Sequence, residues 1–187
     1  MKLRVFAFLK WPVWLVCAAV VLTLAHAGIA QLSGNFHEVI PGELYRSAQP
    51  TGADINAYSK TYGIKTILNL RDEKRTGWYR EEAQAAARNG ITLIDFPISS
   101  SKELPRDEAK RLAKLMADAP KPLLIHCEHG ANRTGLASAI YVGAVNKGSE
   151  AFAEFQLSPY FGHFAIPGVG RYEMYRSWDD YEETIGF

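Results

Sequence analysis

Ten residues in the second half of the chain, His126-Cys127-Glu128-His129-Gly130-Ala131-Asn132-Arg133-Thr134-Gly135, constrain the fold more than any other part of the sequence. A cysteine and an arginine stand five residues apart. The apolar run Leu123-Leu124-Ile125-His126 precedes them, and a helical pattern follows from Thr134 to about Asn146. A short loop curled between a strand and a helix can turn its backbone N–H groups toward one point, where the helix adds the positive end of its dipole. The junction needs a strand buried in a sheet and a helix packed beside it. It therefore predicts an α/β fold with a parallel-rich central sheet flanked by helices.

The rest of the body agrees with this pattern. Residues 64–70 read as a strand, Trp78 to Asn89 as an alanine-rich helix stopped by Gly90, and Ile91 to Ile98 as the next strand. Pro105 opens an amphipathic helix through about Ala117, with Ala109, Leu112, Ala113 and Met116 on one face. The aromatic tail containing Tyr160, Phe161, Phe164, Tyr172, Tyr175 and Trp178 reads as a helix packed on the core. No Pro-, Gly- or Ser-rich linker and no internal repeat interrupts the chain after Gln31, so residues 31–187 form one domain.

Residues 1–30 have a different character. Lys2, Arg4 and Lys10 precede an uncharged stretch from Trp11 to Ala30, about the 20 residues that a helix needs to span a bilayer. Either a transmembrane anchor or a cleaved signal peptide fits, with small residues at Ala25-His26-Ala27 and Gly28-Ile29-Ala30 for cleavage. The length favours the anchor. Basic residues ahead of the span place the body outside the cytoplasm, on the periplasmic side in a bacterium, or secreted if the segment is cut. Without this segment, 18 of the 21 basic side chains remain against 20 acidic ones. Such a body offers a nucleic-acid backbone little attraction, so no nucleic-acid partner is expected.

Only Cys17 and Cys127 are present, so the folded domain closes no internal disulfide. A cysteine at a helix N-terminus beside a cation titrates at about 3.5–7.5, against roughly 8.5 for a free thiol. That makes Cys127 a candidate nucleophile. Arg133 can grip two phosphate oxygens in a planar, bidentate contact that lysine cannot copy. The hydroxyl of Thr134 can donate to the sulfur, and Glu128, His129, Gly130, Ala131 and Asn132 line whatever the loop holds. Gly130 and Gly135 permit a turn or a close approach that a Cβ would hinder. His126 is read as holding the loop by a hydrogen bond. Two histidines and a thiolate do not make a ligand set of three or four converging groups, so no metal and no cofactor are expected.

The stretch HCEHGANRTG resembles the HC-x5-R-[S/T] signature of the protein tyrosine phosphatase superfamily, particularly its dual-specificity branch. Residues 35–47, NFHEVIPGELYRS, are similar to the opening of plant and fungal atypical dual-specificity phosphatases. The resemblance implies hydrolysis of phosphate monoesters through a phosphocysteine intermediate, on a protein, lipid or sugar phosphate. Some members of that group act on inositol pyrophosphates and carry lysine where this chain has Ala131; Glu128 and Ala131 make the rim here less basic. The superfamily takes its general acid from an Asp before the central helix. Asp95 has a similar separation from Cys127, although matching Phe96-Pro97-Ile98 to the strand end puts the acid position on Ser100, and Glu103 and Glu73 lie nearby. A rhodanese-type sulfur-transfer domain has a shorter loop. A phosphate-recognition module without turnover is the alternative from another class, and a phosphatase dedicated to lipid or inositol phosphates is a narrower one.

Overall fold

The structure is a computed structural model that describes residues 5–72, 76–168 and 171–187; for residues 5–12, 24, 27, 30 and 31 only the backbone is described. Five strands form one sheet: β1 (His37–Ile40), β2 (Leu44–Ser47), β3 (Thr66–Asn69), β4 (Thr92–Asp95) and β5 (Leu123–His126), in the order β1-β2-β5-β3-β4. β1 runs antiparallel to β2, and the other three pairings are parallel. β5 is therefore central, with Ser47 of β2 level with His126 on one side and Asn69 of β3 on the other. The loop that begins at Cys127 leaves from the middle of the sheet.

Strands covered on both faces read as continuous apolar runs rather than alternating ones. In β5 Leu123, Leu124 and Ile125 are all fully buried. Leu123 and Ile125 join one apolar cluster and Leu124 the other, as period-two side chains must. Helices α2 (Gly52–Tyr62) and α3 (Gly77–Arg88) cover the Leu124 face, while α4 (Arg106–Asp118), α5 (Asn132–Ile140), α6 (Glu150–Phe155) and α7 (Tyr172–Glu182) cover the other. The predicted face of α4, with Ala109, Leu112, Ala113 and Met116, is the one that is buried. Truncating a side chain such as Leu112 to alanine would cost about 2–5 kcal/mol.

Several elements depart from the sequence expectations. β3 and β4 are four residues each, shorter than the apolar runs 64–70 and 91–98 that contain them, whereas β5 has the bounds expected. α2 was not anticipated, although Thr51 and Asp54 close a capping box at its start and Gly63 ends it at φ 66°. The helix expected to reach Asn146 changes after Ile140 into a π-helical turn, Tyr141–Val145, closed by Asn146 N–H donating to the Tyr141 carbonyl at 2.9 Å. In the tail, α7 begins only at Tyr172. Phe161 and Trp178 are buried, Tyr172 and Tyr175 are half-buried, and Tyr160 and Phe164 are exposed.

The N-terminal segment is a single helix, α1 (Val5–Leu32), of 28 residues. Its far end meets the domain where His26 Nε2 approaches the Tyr160 carbonyl at 2.9 Å. The expected span from Trp11 to Ala30 includes positions 11, 12, 24, 27 and 30, whose side chains lie outside the described residues. Among the described residues, no helix is long and apolar enough to cross a membrane.

Candidate active site

Cys127 follows the last residue of β5 and is 3% exposed. From there the chain forms a tight loop into α5, which begins at Asn132 with no side chain capping it. Helix N-termini carry backbone N–H groups without intrahelical partners, so an uncapped one beside a cysteine is ready for an anion.

What shapes the loop is the fate of its carbonyls. The His126 carbonyl accepts from Leu70 N–H at 3.0 Å, and that of Glu128 from Gln49 N–H at 3.2 Å. The His129 carbonyl accepts from Asn35 Nδ2 at 3.0 Å, and that of Gly130 from Arg46 Nη2 at 2.8 Å. Four carbonyls are thus drawn outward by donors on four surrounding segments. Because a peptide's N–H points opposite to its C=O, the amides turn to the inside. Gly130 is essential to this path. It sits at φ 68°, and a Cβ there would lie 2.6 Å from the backbone of Ser47 and Ala48. At Gly135 a Cβ would come within 2.8 Å of the Gln156 carbonyl, so α5 packs on the segment after α6 only through glycine.

A cavity of about 220 Å³ opens over the loop, lined by Ser100, Cys127, Glu128, His129, Asn132, Arg133 and Arg171. The side chain of Arg133 is 15% exposed, with Nη1 donating to the Leu70 carbonyl at 3.4 Å and Nη2 3.9 Å from Glu128 Oε2. Glu128 and His129 stand at the mouth, about half and two-thirds exposed. Gly130 and Ala131 are buried in the loop wall. The expected bond from Thr134 to the sulfur is not formed: Thr134 Oγ1 is buried and has no hydrogen-bond partner.

The candidate acids are scattered. Asp95 does not line the cavity. Its Oδ1 accepts from Asn69 Nδ2 at 2.9 Å and its Oδ2 from Tyr79 Oη at 2.7 Å. In register it lies two strands from His126, roughly 9–10 Å across the sheet at 4.7–4.9 Å per strand. Tyr79 is pushed up to about 12 by burial and by its bond to Asp95. Glu103 pairs with Arg176 at 3.1 Å, outside the cavity lining, and Glu73 lies outside the described residues. Ser100 does line the cavity, as the strand-end match anticipated.

The residues that hold the loop from behind escaped sequence reasoning. Glu82 of α3 and His126 are both fully buried, with Oε1 and Nε2 2.7 Å apart but out of line for a hydrogen bond. Gln49 Nε2 donates to the other Glu82 oxygen at 3.3 Å, and Arg71 donates to Gln49 at 3.3 Å. Asn132 Oδ1 meets His163 Nδ1 at 2.8 Å; burial, followed by the charge of Arg46, lowers His163 to about 4. Glu82 sits in an alanine-rich helix and His163 in an irregular segment, so no local pattern marks them. Arg171, which immediately precedes α7, carries no such mark either. Tyr45-Arg46-Ser47 forms β2 with Leu44, and nothing local in that stretch shows the direction its arginine takes.

A mostly parallel sheet with a cysteine loop at its centre, an uncapped helix after it and an arginine over the resulting cavity define a class, the cysteine-dependent phosphatases. The chain belongs to the DSP-PTPase phosphatase family: the family model described as "PTP-NADK: DSP-PTPase phosphatase fused to NAD+ Kinase" matches residues 31–159. Its similarity is to the atypical dual-specificity branch. It is 35% identical over 106 residues to the inositol diphosphatase DSP2 of rice, covering 54% of this chain and 50% of that protein. It is 31% identical over 111 residues to the dual specificity protein phosphatase TpbA of Pseudomonas aeruginosa, covering 57% and 45%. The chain spans about half the length of these curated relatives. Among solved structures, the catalytic core of Siw14 superposes with a TM-score of 0.62 at 22% identity, covering 81% of this chain and 87% of that one. A Cys-to-Ser variant of P. aeruginosa TpbA in complex with pTyr gives 0.60 at 20%, covering 82% and 91%. At these identities the superpositions speak for the fold.

Proposed function

We propose that this chain hydrolyses phosphate monoesters through a phosphocysteine intermediate. The observation that carries the reading is the loop whose four carbonyls are held outward above Cys127, leaving its amides for an anion. Cys127 Sγ attacks phosphorus, the bond to the leaving oxygen breaks, and that oxygen takes a proton. Arg133 grips the equatorial oxygens, and its charge counts most where negative charge gathers in the transition state. Water then cleaves the sulfur–phosphorus bond, and the hydroxyl of Thr134 is free to donate to the departing thiolate. With Asp95 engaged elsewhere, the proton carriers on the cavity wall among the described residues, apart from Cys127, are Glu128 and His129. The acid is one of these or Glu73, which lies outside the described residues.

The test is hydrolysis of p-nitrophenyl phosphate, sensitive to vanadate and lost in Cys127→Ser. A wild type that binds phosphate but does not turn over between pH 4 and pH 8 would sink the proposal and leave the recognition module standing.

A second reading concerns the substrate. The relatives named as inositol diphosphatases, together with Arg171 beside Arg133, favour a diphosphate whose phosphate leaving group depends little on an acid. A panel of phosphopeptides, phosphoinositides, sugar phosphates and inositol diphosphates decides between them.

We further propose that α1 anchors the domain on the outer side of a membrane. The uncharged stretch from Trp11 to Ala30, the 28-residue helix and its contact at Tyr160 support this. Near that contact lies a groove of about 410 Å³ whose lining includes the exposed rings of Phe152, Phe155 and Tyr160, suited to a headgroup layer. Carbonate extraction of cell membranes tests the idea: release into the supernatant would show that α1 is no anchor.

A further inference from the structure

Arg46 is the largest charged side chain in the interior. It is fully buried at the centre of β2. Its hydrogen bonds go to neutral groups: Nη1 to the carbonyl and Oε1 of Gln156 at 2.9 and 3.0 Å, and Nη2 to the Gly130 carbonyl at 2.8 Å. Nε has no partner, and the guanidinium stacks 3.8 Å from the centroid of the Phe161 ring. No carboxylate pairs with it among the described residues. A buried cation without an anion is costly, because the field it would have had from water is replaced only by dipoles. A fold that keeps one has an anion to set against it.

We infer that Arg46 is a second cation of the phosphate loop, acting from behind it on the negative charge of Cys127 and of the bound phosphoryl group. It reaches both through the loop, because its bond to the Gly130 carbonyl keeps that peptide turned and its charge lies under the ring of amides. The inference rests on the phosphatase reading above and names a positioning and electrostatic residue for it; Arg46 touches no reacting atom.

The surroundings fit a cation that stays charged. Burial lowers Arg46 to about 9, and negative charge on Cys127 opposes that pull. An interaction of this kind is reciprocal, so the arginine favours the thiolate by as much as the thiolate favours the arginine. Two histidines also face it. Burial first and Arg46 second lower His37 and His163, each to about 4, so neither adds charge near neutral pH. Around Cys127 the other titratable groups among the described residues include His126, held by Glu82 below, Arg71, which reaches Glu82 through Gln49, and Glu128, His129, Arg133 and Arg171 on the cavity wall. Arg133 and Arg171 line the open side. Arg46 is a fully buried cation on the closed side, bonded directly to the loop, and charge in a dry setting acts more strongly.

The experiment uses the full chain in detergent, in a Cys17→Ser background so that Cys127 is the sole thiol. Two quantities are read in parallel: kcat/KM on p-nitrophenyl phosphate, and the rate of iodoacetamide alkylation against pH. Arg46→Met keeps the length and the stacking surface without the charge. It is expected to lower kcat/KM about 100-fold or more, as removal of one oxyanion donor does, and to raise the pH of half-maximal alkylation by about one unit. Arg46→Lys, which keeps the charge and loses the fork, is expected to recover at least about tenfold of kcat/KM and to leave the alkylation midpoint near wild type. Equal losses in both variants with an unmoved alkylation midpoint would overturn the inference and leave Arg46 a scaffold residue. If Arg46→Met has no cooperative unfolding transition, Arg46→Lys decides alone: a midpoint raised by a unit or more refutes the role of charge. If the wild type itself shows no turnover, the phosphatase reading has failed, and the alkylation profiles still judge Arg46.

Discussion

Glu82→Ala is the substitution whose consequence follows most directly from the structure. Glu82 and His126 have no solvent exposure, their nearest side-chain atoms are 2.7 Å apart, and Gln49 donates a hydrogen bond to the other Glu82 oxygen. Removing one partner of such a buried pair leaves the other without compensation, which costs about 3–5 kcal/mol. In a chain of this size each kcal/mol moves the melting temperature by about 2–4 °C, so the expected loss is roughly 6–20 °C. Glu82→Gln keeps the volume and the bond from Gln49, and should cost less, about 1–3 kcal/mol. The assay is thermal unfolding of the full chain by circular dichroism. The double variant Glu82→Ala with His126→Ala completes a cycle in which the two losses should fall short of additive by at least about 1 kcal/mol. Strict additivity, or a shift under about 2 °C for Glu82→Ala, would refute the idea that α3 braces the phosphate loop through this pair.

The other predictions follow from single features. Gly130→Ala should abolish detectable turnover on p-nitrophenyl phosphate while the far-ultraviolet spectrum remains, because the new methyl meets backbone rather than a yielding side chain. Asp95→Asn should leave the dependence of kcat on leaving-group basicity unchanged, whereas loss of the acid, sought among Glu128, His129 and Glu73, should matter most for poor leaving groups; a selective loss in Asp95→Asn would return the role to that residue. The stability of the fold should fall with pH between about 6.5 and 4. His163 and His37 bind protons more readily unfolded than folded, so their contribution is present above 6.5 and is lost on the way to about 4. The buried His163 supplies at most about 1.4 kcal/mol per pH unit and the half-buried His37 less. His163→Gln should flatten that slope in urea titrations at pH 7 and pH 5.

The candidate site was legible in the sequence because its constraints are local. Cys127, Arg133 and the two glycines are fixed by the geometry of a single strand–loop–helix turn, and a turn of ten residues can be read without knowing what surrounds it. The sheet was legible for the same reason, since Leu123-Leu124-Ile125 and Ile67-Leu68 are buried on both faces and carry no polar break. The runs at 64–70 and 91–98 overstated strand length, because hydrophobicity continues past the last ladder bond. α2 shows the reverse case: its signal lay in a capping box and a closing glycine, while its weakly periodic surface hid it.

What the tertiary structure alone decided is which distant residues serve that turn. Asn35, Arg46, Gln49 and Leu70 take the loop's carbonyls from segments as many as 94 residues away, and Glu82 reaches His126 from another helix. Hydrogen bonds of this range leave no period in the chain. Asp95 illustrates the limit best, since its spacing from Cys127 suited an acid while its strand position put it two strands away, bonded to Asn69 and Tyr79. Separation along the chain fixes the distance between two residues only within one element; across a sheet it is fixed by strand order, and strand order is a property of the folded molecule.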